Sequence, residues 1–165
     1  MTIQSAIEFA TQKHEGQTRK FSGKPYVTHP INVSNIVHQY CLGNKNYETL
    51  MTSAILHDTL EDTETTFKEI ESNFGKEVSN LVQELTNDNE ELQAGKTEYM
   101  KKKFLKLSNN ALILKLADRL DNMRDAPTTK MKDATIEIIQ YLVDNKMLDF
   151  TCKRLCDEIM KICKG

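Results

Sequence analysis

The sequence predicts an all-α protein, and three observations carry that prediction. Apolar residues recur at helical spacing along most of the chain, no period-2 run is long enough for a convincing strand, and no segment repeats at solenoid spacing. With 165 residues, 39% of them hydrophobic, the chain is long enough to build one core without disulfide staples, and a single domain spanning 1–165 is expected. The 28% of charged residues, with only 3 Pro and 6 Gly, excludes the disordered and collagen-like classes.

The elements follow from periodicity and punctuation. Residues 5–14 read as an amphipathic helix closed by Gly16, and 17–30 as a loop rich in Gly, Pro and basic residues, long enough to carry function. Helices are expected over 31–40, 47–60, 67–74 and 76–85, with Gly75 as the stop after Phe74. A polar connection over 86–97 precedes a basic helix over 98–107. The stretch 110–125 is strongly periodic and Pro127 ends it; helices over 129–143 and 148–163 complete the bundle.

Charge and cysteine content narrow the function classes. The chain has 22 Lys+Arg against 24 Asp+Glu, a formal net charge of −2, so it lacks the electrostatic excess that coats a nucleic acid. It has no run of roughly 20 apolar residues to span a membrane. No basic start followed by an apolar stretch marks the first residues as a secretory signal, so a cytoplasmic location is expected. Cys41, Cys152, Cys156 and Cys163 form no C-x-x-C pair and are read as reduced core residues.

The chemistry concentrates in ETLMTSAILHDTLEDT. One stripe reads Leu50, Ala54, His57, Glu61 and its neighbour Met51, Ile55, Asp58, Asp62, so an apolar face turns polar and mostly acidic. Carboxylates crowded around an imidazole repel one another unless a cation sits among them. His57 and Asp58 are adjacent and can converge on one ion, while Glu61 and Asp62, one turn on, are placed to orient or deprotonate a water. Further ligands are available at His29, in the Gly/Pro loop, and at Asp118, which interrupts the stripe Ile113, Leu116, Ala117, Leu120. Lys115, Asp118, Asn122 and Asp125 form a polar seam that could equally be a solvated face. Two imidazoles and two carboxylates suit Mn²⁺, Fe²⁺ or Zn²⁺ in a catalytic setting, and such an ion favours phosphate-ester hydrolysis.

His29, His57-Asp58 and Asp118 match the ligand order H…HD…D, and the chain resembles the HD-domain metal phosphohydrolases. The strings HEGQTRKFSGKPYVTHP (14–30), AILHDTLEDT (54–63), FGKEVSNLVQELT (74–86) and KLADRLDNMRD (115–125) are similar to the hydrolase domain of the Rel/Spo stringent-response enzymes. That resemblance implies a helical HD-type bundle, a small stand-alone alarmone hydrolase without a synthetase region, and Mn²⁺ as cofactor. It implies removal of the 3′-pyrophosphate from guanosine 3′,5′-bis(diphosphate), a small-molecule nucleotide, and from its pentaphosphate relative. By position it places His29, His57, Asp58 and Asp118 on the metal and makes Glu61 and Asp62 the catalytic acidic pair. It sets Arg19, Lys20 and Asn122 against the nucleotide.

This chain departs from the family pattern in its loop, RKFSGKPY, which carries one residue more than the common RKSGEPY, and at Asp121, where many relatives have an aromatic or His. Lys130, Lys132 and Tyr141 are candidates for phosphate contacts, and Lys101-Lys102-Lys103 reads as a solvated helix face. One of Lys115 and Arg119 is expected to pair with the acidic residues. An adenosine alarmone or NADPH as substrate, or a non-catalytic nucleotide-binding role, are the competing expectations.

Overall fold

The computed structural model describes residues 2–165, apart from the side chains of 89, 92 and 94. The regular elements among the described residues are all helices, with an isolated bridge between Thr18 and Pro25 as the sole β pairing among them. Two compact units divide the chain, one ending at Thr86 and one covering Asn87–Gly165.

The first unit holds α1 (Ile3–Lys13), α2 (Thr28–Cys41), α3 (Tyr47–Leu56), α4 (Thr59–Asp62), α5 (Phe67–Phe74) and α6 (Lys76–Leu85). Local chemistry sets several of these boundaries. The Thr2 hydroxyl and Ser5 form a reciprocal capping box at α1, and Thr66 accepts from the Glu69 amide at α5. Gly75, at φ 86°, turns the chain from α5 directly into α6, a left-handed conformation that glycine adopts without a Cβ penalty. The central helix, α3, packs against α1, α2 and α6. Its Ile55 and Leu56 join Ala6, Ala10, Ile70, Phe74, Val78 and Val82 in a fully apolar cluster. Each such large aliphatic side chain contributes about 1.5–3 kcal/mol on full burial.

Two sequence expectations are corrected here. The loop expected over 17–30 ends earlier, because α2 begins at Thr28 and takes His29 and Pro30 into its first turn. Pro30 is tolerated there since the first amides of a helix have no intrahelical acceptor. The helix expected over 47–60 is broken at His57-Asp58, with Asp58 at φ −96°, ψ −6°, the bridge region between helix and strand. Hydroxyls take up carbonyls around the break: Thr59 Oγ1 donates to the Leu56 carbonyl and Thr63 Oγ1 to that of Thr59.

The second unit holds α7 (Asn89–Ala94), α8 (Lys96–Lys106), α9 (Asn109–Arg124), α10 (Thr129–Asn145) and α11 (Phe150–Lys164). The polar connection expected over 86–97 therefore contains a short helix, α7, started by the Asp88 carboxylate accepting from the Glu90 and Glu91 amides. Ser108, Thr128 and Asp149 cap α9, α10 and α11 in the same way. Helix α9 packs on α11, and α10 on α8 and α11. Ten of the α9 residues are buried, among them Lys115 and Asp121, so the solvated-face reading of its polar seam fails at Lys115. The 110–125 stretch is helix, as its periodicity required.

All four cysteines are buried thiols, matching their reading as core residues. Burial, with the Asp157 charge adding to it, pushes the Cys156 thiol up to about 12, so this group is no nucleophile. The basic run on α8 is not uniformly solvated. Lys101 is largely withdrawn from water and pairs with Glu98 and, across to α10, Glu137, while Lys102 remains exposed. No helix among the described residues is long and apolar enough to cross a membrane.

Candidate active site

The break between α3 and α4 creates the polar cluster of the first unit. His57 ends α3, and its Nδ1 lies 2.8 Å from the Ala54 carbonyl. A carbonyl only accepts, so Nδ1 carries the proton and, in the neutral ring, Nε2 presents its lone pair. That nitrogen faces Asp58 Oδ2 at 3.0 Å. His29, in the first turn of α2, brings its Nε2 to 3.5 Å from the same oxygen, and ring nitrogens of the two histidines lie within 4.8 Å of each other. Both imidazoles are only 3% exposed and the Asp58 side chain 13%.

This arrangement fits a divalent cation. Two imidazole nitrogens and a carboxylate oxygen turn toward one point, and lone pairs facing one another at such distances need a positive charge between them. The Ala54 carbonyl on the far nitrogen of His57 is the kind of outer partner that fixes a ligating ring. The break also explains why the cluster forms at all. Helical spacing alone carries His57 and Asp58 about 100° apart, whereas the bend after Leu56 turns the Asp58 carboxylate back onto the histidine.

Tyr26 closes the other side of Asp58. Its hydroxyl lies 2.7 Å from Asp58 Oδ2 and 3.0 Å from Asp62 Oδ2, so one phenol bridges two acidic side chains. Burial, followed by the Asp58 charge, raises the phenol's pKa well above its ordinary value, so it stays protonated and acts as a donor. Asp62 is raised too, by partial burial of its carboxyl and then by the Asp58 charge, with the Tyr26 hydrogen bond pulling the other way. The residue is open to water on its outer side, so the Asp58 repulsion is the part that a nearby cation would remove. Glu61 sits half-exposed beside it on α4.

The loop ahead of α2 is a tight turn. The Arg19 amide donates to the Lys24 carbonyl and the Gly23 amide to that of Arg19, with Gly23 at φ 67°. Arg19 is buried at 8% exposure, whereas Lys20 and the additional loop residue Phe21 are exposed. Gln17 anchors the base of the turn, its side-chain amide donating to the Asp62 carbonyl.

In the second unit, α9 carries the remaining sequence-predicted residues. Asp118 is held by two neighbours one helical turn away on either side: Lys115 Nζ is 3.2 Å from its Oδ2 and Asn122 Nδ2 donates to its Oδ1 at 2.6 Å. Lys115 thus takes the pairing role expected of it or Arg119. Burial lowers the Arg119 guanidinium from its ordinary value, and Asp118 counters that shift. The structure therefore brings His29, His57, Asp58 and Asp62 into one cluster in the first unit, and Asp118 and Asn122 into direct contact in the second. Sequence reasoning missed Tyr26, Gln17 and His14. The available signal was an aromatic hydroxyl three residues before His29, inside the same PYVTHP string, which has no chemical meaning until the chain folds.

The helical architecture carries a His/His/Asp donor set of the kind that suits a divalent ion. A profile of the HD domain matches residues 6–140, and the chain belongs to the HD-domain family. The guanosine-3′,5′-bis(diphosphate) 3′-pyrophosphohydrolase of Aquifex aeolicus (strain VF5) is 35% identical to it over 173 residues, which take in 94% of this chain and 24% of that protein. The guanosine-3′,5′-bis(diphosphate) 3′-pyrophosphohydrolase MESH1 of Xenopus tropicalis is 40% identical over 131 residues, covering 74% of this chain and 68% of its own. Among solved structures, a metazoan ortholog of SpoT that hydrolyzes ppGpp superposes with a TM-score of 0.81 at 31% identity, over 96% of this chain and 93% of that one. The chain spans about a quarter of the length of the Aquifex relative.

Proposed function

We propose that this protein is a metal-dependent 3′-pyrophosphohydrolase of guanosine 3′,5′-bis(diphosphate) and its pentaphosphate relative, releasing GDP or GTP and pyrophosphate. The observation that carries the reading is the Asp58 Oδ2 faced by the Nε2 atoms of two buried histidines. The relatives named for this hydrolysis support the choice of substrate.

His29, His57, Asp58 and Asp118 are the proposed ligands, with Mn²⁺ as the ion. The H…HD…D order supports Asp118, and so does the match of the HD-domain profile across 6–140, which also supports treating 1–165 as one functional domain. A divalent ion at such a site polarises a phosphoryl oxygen and acidifies water. Glu61 and Asp62 then manage protons. The water oxygen bonds to the phosphorus carried on O3′, the P–O3′ bond breaks, and one of these carboxylates accepts the proton that the water loses. The departing 3′-oxygen takes a proton in turn. Arg19 and Lys20 are the proposed contacts to the purine and the phosphates, a guanidinium being able to fork onto phosphate or stack on a base, and Asn122 is the proposed nucleotide contact on α9. Four buried thiols accord with the cytoplasm as the proposed compartment.

The test is an assay of metal-stripped protein before and after addition of Mn²⁺, against guanosine and adenosine tetraphosphates and NADPH. Mn²⁺-dependent pyrophosphate release from the guanosine compound is expected. Pyrophosphate release from neither tetraphosphate, with no orthophosphate release from NADPH, would overturn the hydrolase reading, and preference for either competitor would overturn the guanosine assignment. Arg19→Ala is expected to raise KM about 10- to 100-fold with little change in kcat, the scale of a lost charge-assisted contact. A change confined to kcat would instead place Arg19 in the transition state.

A further inference from the structure

The hydrolase reading assigns no task to Tyr26, although its side chain touches both Asp58 and Asp62. We propose that Tyr26 is a positioning residue whose hydroxyl ties the ligand Asp58 to the acid Asp62, and that it sets both the affinity for the divalent ion and the rate of the chemical step. This inference rests on the metal site proposed above.

The geometry argues for the hydroxyl rather than the ring. A phenol donates one proton, and here two carboxylate oxygens lie within reach of it, at 2.7 and 3.0 Å. Asp58 Oδ2, with the shorter distance, is also the oxygen that both histidines face. The hydroxyl therefore shares that oxygen with both histidines and limits its rotation. An outer-shell donor of this kind orients a ligand, and removing one costs 10- to 100-fold in metal affinity or activity.

Tyr26 is itself braced. Its amide donates to the Gln17 carbonyl at 2.9 Å, and the Gln17 side chain donates to the Asp62 carbonyl at 2.8 Å. Because the Gln17 nitrogen is the donor there, its Oε1 is the acceptor from His14 Nδ1 at 2.8 Å. The His14 ring, buried at 3% exposure, lies over the Tyr26 ring at a centroid distance of 4.8 Å, and His29 meets its edge at 5.9 Å. The phenol is thus held at one ring face, at its edge and through the backbone, which leaves its hydroxyl little freedom to leave the two carboxylates.

Tyr26→Phe keeps those ring contacts and removes only the donor. Calorimetric titration of the metal-stripped wild type and variant with Mn²⁺ alone, alongside apo-protein melting, reads the proposal without substrate. The dissociation constant is expected to rise 10- to 100-fold, while the apo Tm moves by no more than roughly the 4 °C that about 1 kcal/mol produces. With saturating Mn²⁺, kcat falls and KM stays within about two-fold, because Asp62 has lost its partner while the nucleotide contacts remain. An unchanged dissociation constant would overturn the proposal, whether or not the apo protein had become less stable. Wild-type protein that takes up no divalent ion would overturn it together with the metal site. Weaker ion binding in the variant, in a protein that hydrolyses none of the three nucleotides, would sustain the hold on Asp58 and overturn the claim on the chemical step together with the substrate assignment.

Discussion

Asp58→Ala is expected to abolish divalent-ion binding and turnover together. Its Oδ2 is the atom shared by the His57, His29 and Tyr26 contacts, so truncation removes a ligand and leaves two buried imidazoles facing an emptied position. Loss of a ligand from a site with few protein donors cannot be made good by the histidines alone, and the ion's electrostatic contribution to phosphoryl transfer goes with it. We expect kcat/KM to fall by at least about 10³-fold, a loss of roughly 4 kcal/mol of transition-state stabilisation. Calorimetric titration with Mn²⁺, read beside turnover, checks the coupling. Normal ion affinity in an inactive Asp58→Ala protein would move Asp58 from ligand to proton-transfer group.

Glu61→Gln is the contrasting case. The substitution preserves shape and removes the carboxylate's ability to accept a proton, so ion affinity is expected to stay within about two-fold while kcat drops 10²- to 10⁴-fold, the usual worth of a general base. KM should change little. Equal loss of ion binding in Glu61→Gln and Asp58→Ala would show that Glu61 belongs to the ligand set. Retained kcat would transfer the proton-accepting role to Asp62, whose carboxyl lies against Tyr26 and whose pKa is raised by burial and by Asp58.

The two variants separate roles that helical periodicity cannot. On an unbroken helix, His57 and Glu61 lie on one stripe and Asp58 and Asp62 on the next, and the four polar groups look equivalent. The bend at His57-Asp58 distinguishes them: Asp58 turns inward to the histidines, Asp62 reaches only as far as the Tyr26 hydroxyl, and Glu61 stays half-exposed. Such a bend is invisible in a pattern of residue types. It depends on where hydroxyls of Thr59 and Thr63 find carbonyls and on how Leu56 is buried in the apolar cluster.

Local rules were legible elsewhere. The α5 and α6 limits agree with the sequence reading to the residue because Gly75 admits the left-handed turn between them. The start of α2 was misplaced because Pro30 reads as a helix boundary, although a proline is equally at home inside a first turn. Lys101 was read as solvated because charge runs on a helix usually are, and its capture by Glu137 is a contact between residues 36 positions apart.

By itself, the sequence determined the helical class and the buried cysteines and singled out the candidate site residues, because these follow from the spacing and type of neighbours along the chain. Only the tertiary structure decided that His29 meets Asp58, that Tyr26 joins Asp58 to Asp62, and that Lys115 lies buried on α9 beside Asp118. Those facts depend on directions: which lone pair faces which nitrogen is set by packing between segments that are distant in the chain, and a linear pattern of residue types carries no record of it.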